Sequence, residues 1–330
     1  MTDPLVHHQA RIDLAAAFRW AARLDMHESI ANHFSLAVNP EGSRFLINPN
    51  GRHFGRITAS SLVEIDANDP DTMNRPDAPD PTAWGLHGSI HRALPHARCV
   101  MHVHSMHATV LASLADSYLP PIDQNSAMFF GRQVVDDHYG GMAFGDEGAR
   151  CAEMLRDPKI TTMIMGNHGV LIIGRTVAET FNRLTYFERA AETYIRALQT
   201  GQPLRVLSDA VAEKTAQEWE NYPGFADFHL REIKALLGTL QDQHVIRAAG
   251  CAVLGHQGGD LGAQPCVKGL HAFLAADVVV ALTAILKQIA ELQRPVIGEL
   301  RPRQHRIDQF GALQRIGTVD PGRAAPPAHS

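Results

Sequence analysis

Residues 100–114 read "VMHVHSMHATVLASL", three histidines set in an otherwise apolar run. A buried imidazole needs a partner. His102, His104 and His107 therefore raise three possibilities: a metal site, a proton-transfer group, or local packing. Alternate residues of a strand face the same way. His102 and His104 thus project together from the carboxyl end of a strand, where imidazole nitrogens can take a divalent cation. The plainer alternative is a histidine pair at a strand edge facing solvent. His107 falls about one turn into the next helix and suits packing or support of its neighbours. A third ligand is on offer in "MIMGNHGVLIIG" (163–174), where His168 occupies a tight turn between two hydrophobic strands. Taken alone, it reads as an ordinary turn histidine.

Composition narrows the setting. The chain has 330 residues, 45% of them hydrophobic, enough for one large core or a core plus an appendage. The net charge of −5 and the scatter of basic residues argue against nucleic acid or an anionic membrane as partner. The longest apolar run, "FLAADVVVALTAIL" (273–286), is too short to span a bilayer and contains Asp277. The N-terminus lacks the pattern of a signal peptide. Cys99, Cys151, Cys251 and Cys266 form no CxxC pair, which suits a reduced, cytoplasmic protein.

The histidines need elements to hold them. Apolar spacing over 8–25 predicts an amphipathic helix. "HFSLAV" (33–38) and "RFLIN" (44–48) read as strands joined by turn residues 39–42. "TASSLVEID" (58–66) reads as a helical turn, opened by Thr58, running into a short strand. A Pro/Asp-rich loop (67–81) precedes a helix from about Thr82 to Leu94, stopped by Pro95. A strand follows at 97–104, then a helix at 105–115 with Ser105 as N-cap. Strands at 132–136, 161–166 and 170–174 alternate with a helix near 147–156, and a long helix covers 176–199. Further helices are expected at 209–220 and 225–238. From about 241 the character changes: Gly, Pro, His and Arg are frequent, and Trp and Tyr are missing. The expected organisation is a domain over 1–240 and an atypical extension over 241–330, with one helix near 274–293 and a disordered tail.

Three segments together carry a resemblance: "LHGSIHRALPHARCVMHVHSMHATVLASL", "GNHGVLIIGRTVAETFNRLTYFERAAETY", and the opening "LAAAFRWAARLDMHESIANHFSL…FLINPNGRHFGRITASSLVEID". Collinear over about residues 10–235, they resemble the class II aldolase/adducin family. The resemblance implies an α/β fold: a three-layer α/β/α sandwich around a mainly antiparallel central sheet. It implies a homotetramer with active sites at subunit interfaces and a small-molecule substrate. It maps the family's metal-binding histidines onto His102, His104 and His168, with zinc as the usual ion and Mn2+, Fe2+ or Co2+ as alternatives. The ion there chelates substrate oxygens and stabilises the enediolate formed when a carbon–carbon bond breaks.

The sequence departs from the family's sugar-phosphate aldolases at three places. Their glutamate at the start of the helix after the Pro-rich loop, a metal ligand or acid/base, aligns with Ala83, which cannot shuttle a proton. Their two phosphate-binding serines align with Pro81 and Thr82. A phosphate-site asparagine aligns with His33, and the "NPNG" turn keeps Gly51 but has Asn50 where threonine is common. His33, Asn50 and Gly51 are therefore the candidate substrate contacts, and a non-phosphorylated hydroxy- or keto-carbonyl compound is the expected substrate. His87, with His91 one turn on, could replace the lost carboxylate, or both could simply pack. Tyr139 in "DDHYGG" (136–141) is a second candidate proton donor. Glu64 and Glu147 have no positional argument in the sequence. Two functions compete: a metal-dependent lyase of aldolase or decarboxylase type, and a non-catalytic binding or assembly domain like the adducin head.

Overall fold

The structure, a computed structural model, describes residues 7–140 and 147–238. The expected extension over 241–330, its helix and its tail lie outside the described residues. The chain runs α1 (His8–Arg23), β1 (His33–Ala37), β2 (Arg44–Ile47), β3 (Val63–Asp66), α2 (Pro81–Ala93), β4 (Cys99–Val103) and α3 (Met106–Ala112). It continues with α4 (Gln124–Ala127), β5 (Gln133–Asp136), α5 (Glu147–Met154), β6 (Thr162–Met165), β7 (Gly169–Gly174), α6 (Val177–Gln199) and α7 (Asp209–Glu220). Residues 225–238 are helical as well.

The described strands form one sheet in the order β3-β2-β1-β4-β7-β6-β5. Every pairing is antiparallel except β5 with β6. β4 and β7 lie in the middle and are buried along their whole length. Such strands read as near-continuous apolar runs because both of their faces are covered.

Side-chain alternation sorts the two faces. Phe34, Met101, Val103, Val170 and Ile172 point to a layer made by α1, α3 and α6, whose Leu14, Phe18, Phe181 and Leu184 are fully or almost fully buried. Val100, Leu171 and Ile173 point the other way, to Leu86 and Ile90 of α2 and Cys151 of α5. The result is the expected three-layer α/β/α sandwich. His102 and Ser35 share the parity of Val100 and Leu171, since Ser35 pairs with Val100 and His102 with Leu171. The polar residues of the central strands therefore sit under α2 and α5.

Helix boundaries follow local chemistry. Asp80 caps α2 by accepting from the Thr82 N–H, and Pro81 occupies the first turn, where no amide donor is needed. Thr176 caps α6 by accepting from the Glu179 N–H. α3 is shorter than its sequence suggests, and its cap differs. Ser105 makes no capping bond of its own; its Oγ donates to Glu188 on α6. The Glu188 carboxylate also accepts from the His107 and Ala108 amides, at 2.9 and 3.0 Å. A negative charge at that helix start satisfies donors the short helix cannot. His107 Nδ1 lies 2.9 Å from the same carboxylate, which gives His107 a supporting role.

α5 approaches α2 closely because Gly148 carries no side chain. A Cβ there would sit 2.5 Å from the Gly85 carbonyl oxygen and 2.7 Å from Ser89 Oγ. Gly148→Ala is expected to destabilise the fold by about 1–3 kcal/mol, the range for overpacking. Urea unfolding checks this, and an unchanged midpoint would contradict the α2–α5 contact.

Candidate metal centre

β4 and β7 bring the histidines together. Val103 pairs with Val170, so His104, just past β4, meets the turn that precedes β7. That turn is held by three backbone bonds: Gly166 N to Asp136 O, Asn167 N to Ala112 O, and His168 N to Met165 O. Asn167 adopts a left-handed conformation, φ 56°, which asparagine tolerates. Gly169 leaves room where a Cβ would meet Val103 O at 2.5 Å and His104 Cδ2 at 2.9 Å. His168 is thereby pressed against the end of β4. One ring nitrogen from each of His102, His104 and His168 lies within 4.8 Å of the others.

Hydrogen bonding fixes two of the rings. His102 Nδ1 lies 3.1 Å from the Val170 carbonyl oxygen, which can only accept, so Nδ1 carries the proton. His104 Nδ1 lies 2.6 Å from the Glu28 carboxylate, with the same consequence. In the neutral rings both Nε2 atoms are bare, and they face each other at 2.9 Å. Two lone pairs at that distance repel unless a cation or proton lies between them. His168 adds a buried Nδ1 with no hydrogen-bond partner. Burial holds His102 well below the usual imidazole range, and His33, His104 and His168 add to the effect. Burial also takes His168 down to about 4, with His104 adding to the fall and Glu28 and Asp136 opposing it. Converging imidazoles, two of them with a carbonyl or carboxylate partner behind, are the donor set a divalent metal takes.

The Class II Aldolase and Adducin N-terminal domain is matched over residues 12–195, more than half of the chain. A protein of Caulobacter vibrioides named for the class 2 aldolases is 32% identical over 205 residues, covering 62% of this chain and 79% of its own length. The chain belongs to the class II aldolase and adducin family. Decarboxylase NovR of Streptomyces niveus is 26% identical over 231 residues, covering 67% of this chain and 84% of its own length. The crystal structure of an aldolase II superfamily protein from Pseudomonas syringae aligns with a TM-score of 0.61 and 30% identity, over 69% of this chain and 92% of that one. Class II aldolases typically depend on a divalent metal, and the three histidines form a group that could hold one.

The triad opens into a cavity of about 270 Å3, walled also by His33, Asp80, Thr82, Leu86, Tyr139 and Glu147. Five residues expected from the sequence meet there, and three do not. His102, His104 and His168 converge. Tyr139 stands with its ring 5.7 Å from that of His168, and His33 is also in the wall. His87 does not reach the cavity: it is fully buried, and its ring nitrogens are committed to His33 and Ser35. Its place on the inward face of α2 removes it as a direct proton donor. Asn50 and Gly51 line a neighbouring groove with Arg75 and Asp77, apart from the triad.

Ala83 is fully buried among Phe45, Ile47, Val63 and Ile65, so no carboxylate enters the site from that position. Two others line the cavity. Asp80 Oδ1 is occupied, accepting from the Thr82 amide and hydroxyl. Glu147, at the start of α5, has a buried Oε2 with no partner, and its Oε1 lies 3.8 Å from Arg150 Nη2. Burial pushes Glu147 above the usual carboxylate range, against the pull of Arg150. Arg150 is itself held 2.9 Å from the buried Asp136 at the end of β5. Sequence reasoning missed Glu147 because only the packing of α5 on α2 brings it to the triad. The adjoining Gly148, forced by that packing, was the available signal.

The buried histidines make stability pH-dependent. Burial lowers His33 to about 3 and His91 to about 4, and takes His87 well below the ordinary value. These groups protonate in the unfolded chain at about pH 6.5 but resist protonation when folded. The unfolded state binds more protons over that interval. Stability is therefore full above about pH 6.5 and falls as the pH drops toward 4, by up to about 1.4 kcal/mol per pH unit for each such group. Urea unfolding of the metal-free protein at pH 8, 6.5 and 5 should show a flat upper range and a steep loss below it. Equal stability at pH 8 and 5 would contradict the burial of these rings.

Proposed function

We propose that this protein is a divalent-metal-dependent lyase that breaks a carbon–carbon bond in a small, non-phosphorylated hydroxy- or keto-carbonyl compound. One observation carries the reading: two bare imidazole nitrogens 2.9 Å apart, oriented from behind by Val170 and Glu28, with His168 alongside. His102, His104 and His168 would hold the ion, zinc being the first choice for an all-imidazole set. When bound, it supplies a Lewis acid for the negative charge that develops on a carbonyl oxygen as the bond breaks.

The protein's own groups handle the rest. Cleavage leaves an electron pair on carbon that must be protonated. A carboxyl held above its usual range, with one oxygen unpartnered, suits that proton transfer, and Glu147 meets both conditions. Tyr139 is the second proton donor on the wall, with one edge open to solvent. Leu86 makes the wall partly apolar. Both an aldol cleavage and a decarboxylation fit. The decarboxylation reading has added support in the likeness to Decarboxylase NovR. A homotetramer and a cytoplasmic setting belong to the same reading, supported by the family and by the buried free thiols of Cys99 and Cys151. The competing reading, a non-catalytic binding domain, draws its support from Ala83 and the family's adducin members.

Metal analysis separates the two. The purified full chain should hold about one equivalent of divalent metal, His102→Ala should lose it while staying folded, and His107→Ala should keep it. Screened against hydroxy- and keto-acids, Glu147→Gln should keep the metal and lose turnover by about 100-fold or more, the lower range for acid–base groups. A metal-free wild-type chain would overturn the lyase reading.

A further inference from the structure

Behind His33 lies a line of hydrogen bonds the proposed reaction does not use. His33 Nδ1 is 2.7 Å from His87 Nε2, and His87 Nδ1 is 2.5 Å from Ser35 Oγ. Ser35 Oγ is 2.6 Å from His91 Nε2, and His91 Nδ1 is 2.8 Å from the Ala97 carbonyl oxygen. The four side chains are at most 5% exposed, so water does not interrupt the line. It exists because α2 turns His87 and His91 inward, one helical turn apart, onto the face of β1 that carries His33 and Ser35.

The end of the line sets its direction. A carbonyl oxygen only accepts, so His91 Nδ1 carries a proton. In a neutral ring His91 Nε2 is then bare and accepts from the Ser35 hydroxyl. Ser35 Oγ, its proton used, accepts from His87 Nδ1–H. His87 Nε2 is bare in turn and accepts from His33 Nδ1–H. His33 is left with a bare Nε2 and lines the cavity beside the triad. No other arrangement of protons satisfies every bond with neutral rings, and burial disfavours charged ones.

We infer that the Ala97–His91–Ser35–His87 line fixes His33 as a hydrogen-bond acceptor in the cavity, so that the site selects a ligand presenting a hydroxyl proton next to its metal-chelating oxygens. A phosphate or carboxylate group, which at neutral pH offers acceptors only, meets a lone pair at that point and is disfavoured. His33 is thus a specificity-determining residue, and His87, Ser35 and His91 are positioning residues acting through it. The ligand half of the inference rests on the metal reading above; the tautomer half does not.

Two measurements on the 15N-labelled full chain test it. Long-range 1H–15N correlation spectra should show His33, His87 and His91 as Nδ1–H tautomers, unchanged between pH 6 and 8, with and without zinc. An Nε2–H tautomer or an imidazolium at His33 would overturn the inference. Calorimetry on the zinc-loaded chain then compares glycolate with methoxyacetate, which keeps the chelating oxygens and lacks the hydroxyl proton. Glycolate should bind about tenfold tighter or better, the effect of a buried acceptor left unpaired, and Ser35→Ala should narrow that preference. Equal affinities would overturn the ligand half. So would a preference that persists in Ser35→Ala, because steric exclusion of the methyl group does not depend on Ser35. A wild-type chain that fails to take up zinc would sink the lyase reading, while the tautomers would still decide this inference.

Discussion

The pairing of β4 with β7 turns histidines far apart in sequence into one site. Its register runs from Cys99 opposite Gly174 to Val103 opposite Val170. It does three things at once. It buries His102 between two sheet neighbours, it supplies the Val170 carbonyl that sets the His102 tautomer, and it brings the 166–169 turn against His104. Slipping the register by one residue would turn His102 to the opposite face of the sheet, into the layer of α1 and α6. The triad is thus a consequence of strand pairing, and its orientation is set by backbone groups as much as by side chains.

The same face of the sheet explains why so many imidazoles are tolerated in the interior. A buried polar group is costly unless it is paired. His33, His87 and His91 pair with one another through Ser35 and end on a backbone carbonyl. His102 and His104 end on Val170 and Glu28. The cavity-lining residues keep atoms without such backing: the facing Nε2 atoms of His102 and His104, one oxygen of Glu147 and Nδ1 of His168. A network closed at its back and open at its front is what a binding site requires.

Much of this was legible in the sequence, for identifiable reasons. Apolar periodicity and turn chemistry located the strands and the long helices, and the spacing of His102 and His104 gave their shared face. The resemblance supplied His168 and the layer architecture. The less legible parts are contacts between elements. His87 looked like a candidate acid because it lies four residues after Ala83. Its partners, however, come from β1, and no pattern within α2 reveals them. Asn50 and Gly51 sit on a turn whose neighbours are set by the Pro/Asp-rich loop, which has no periodicity to read. Glu147 reaches the cavity only because Gly148 lets α5 close on α2. The cap of α3 comes from Glu188 on α6, far along the chain, although Ser105 stood in the local position for it.

With Ala83 in place of a carboxylate, the proposed proton transfer falls to Glu147 on the neighbouring helix α5. The central claim is still that three imidazoles meet on one ion. X-ray absorption at the zinc edge, on the zinc-loaded full chain, reads that coordination directly. The account predicts three imidazole nitrogens at about 2.0–2.1 Å, completed by oxygen. A first shell with fewer than three imidazoles, or one containing sulfur, would contradict it.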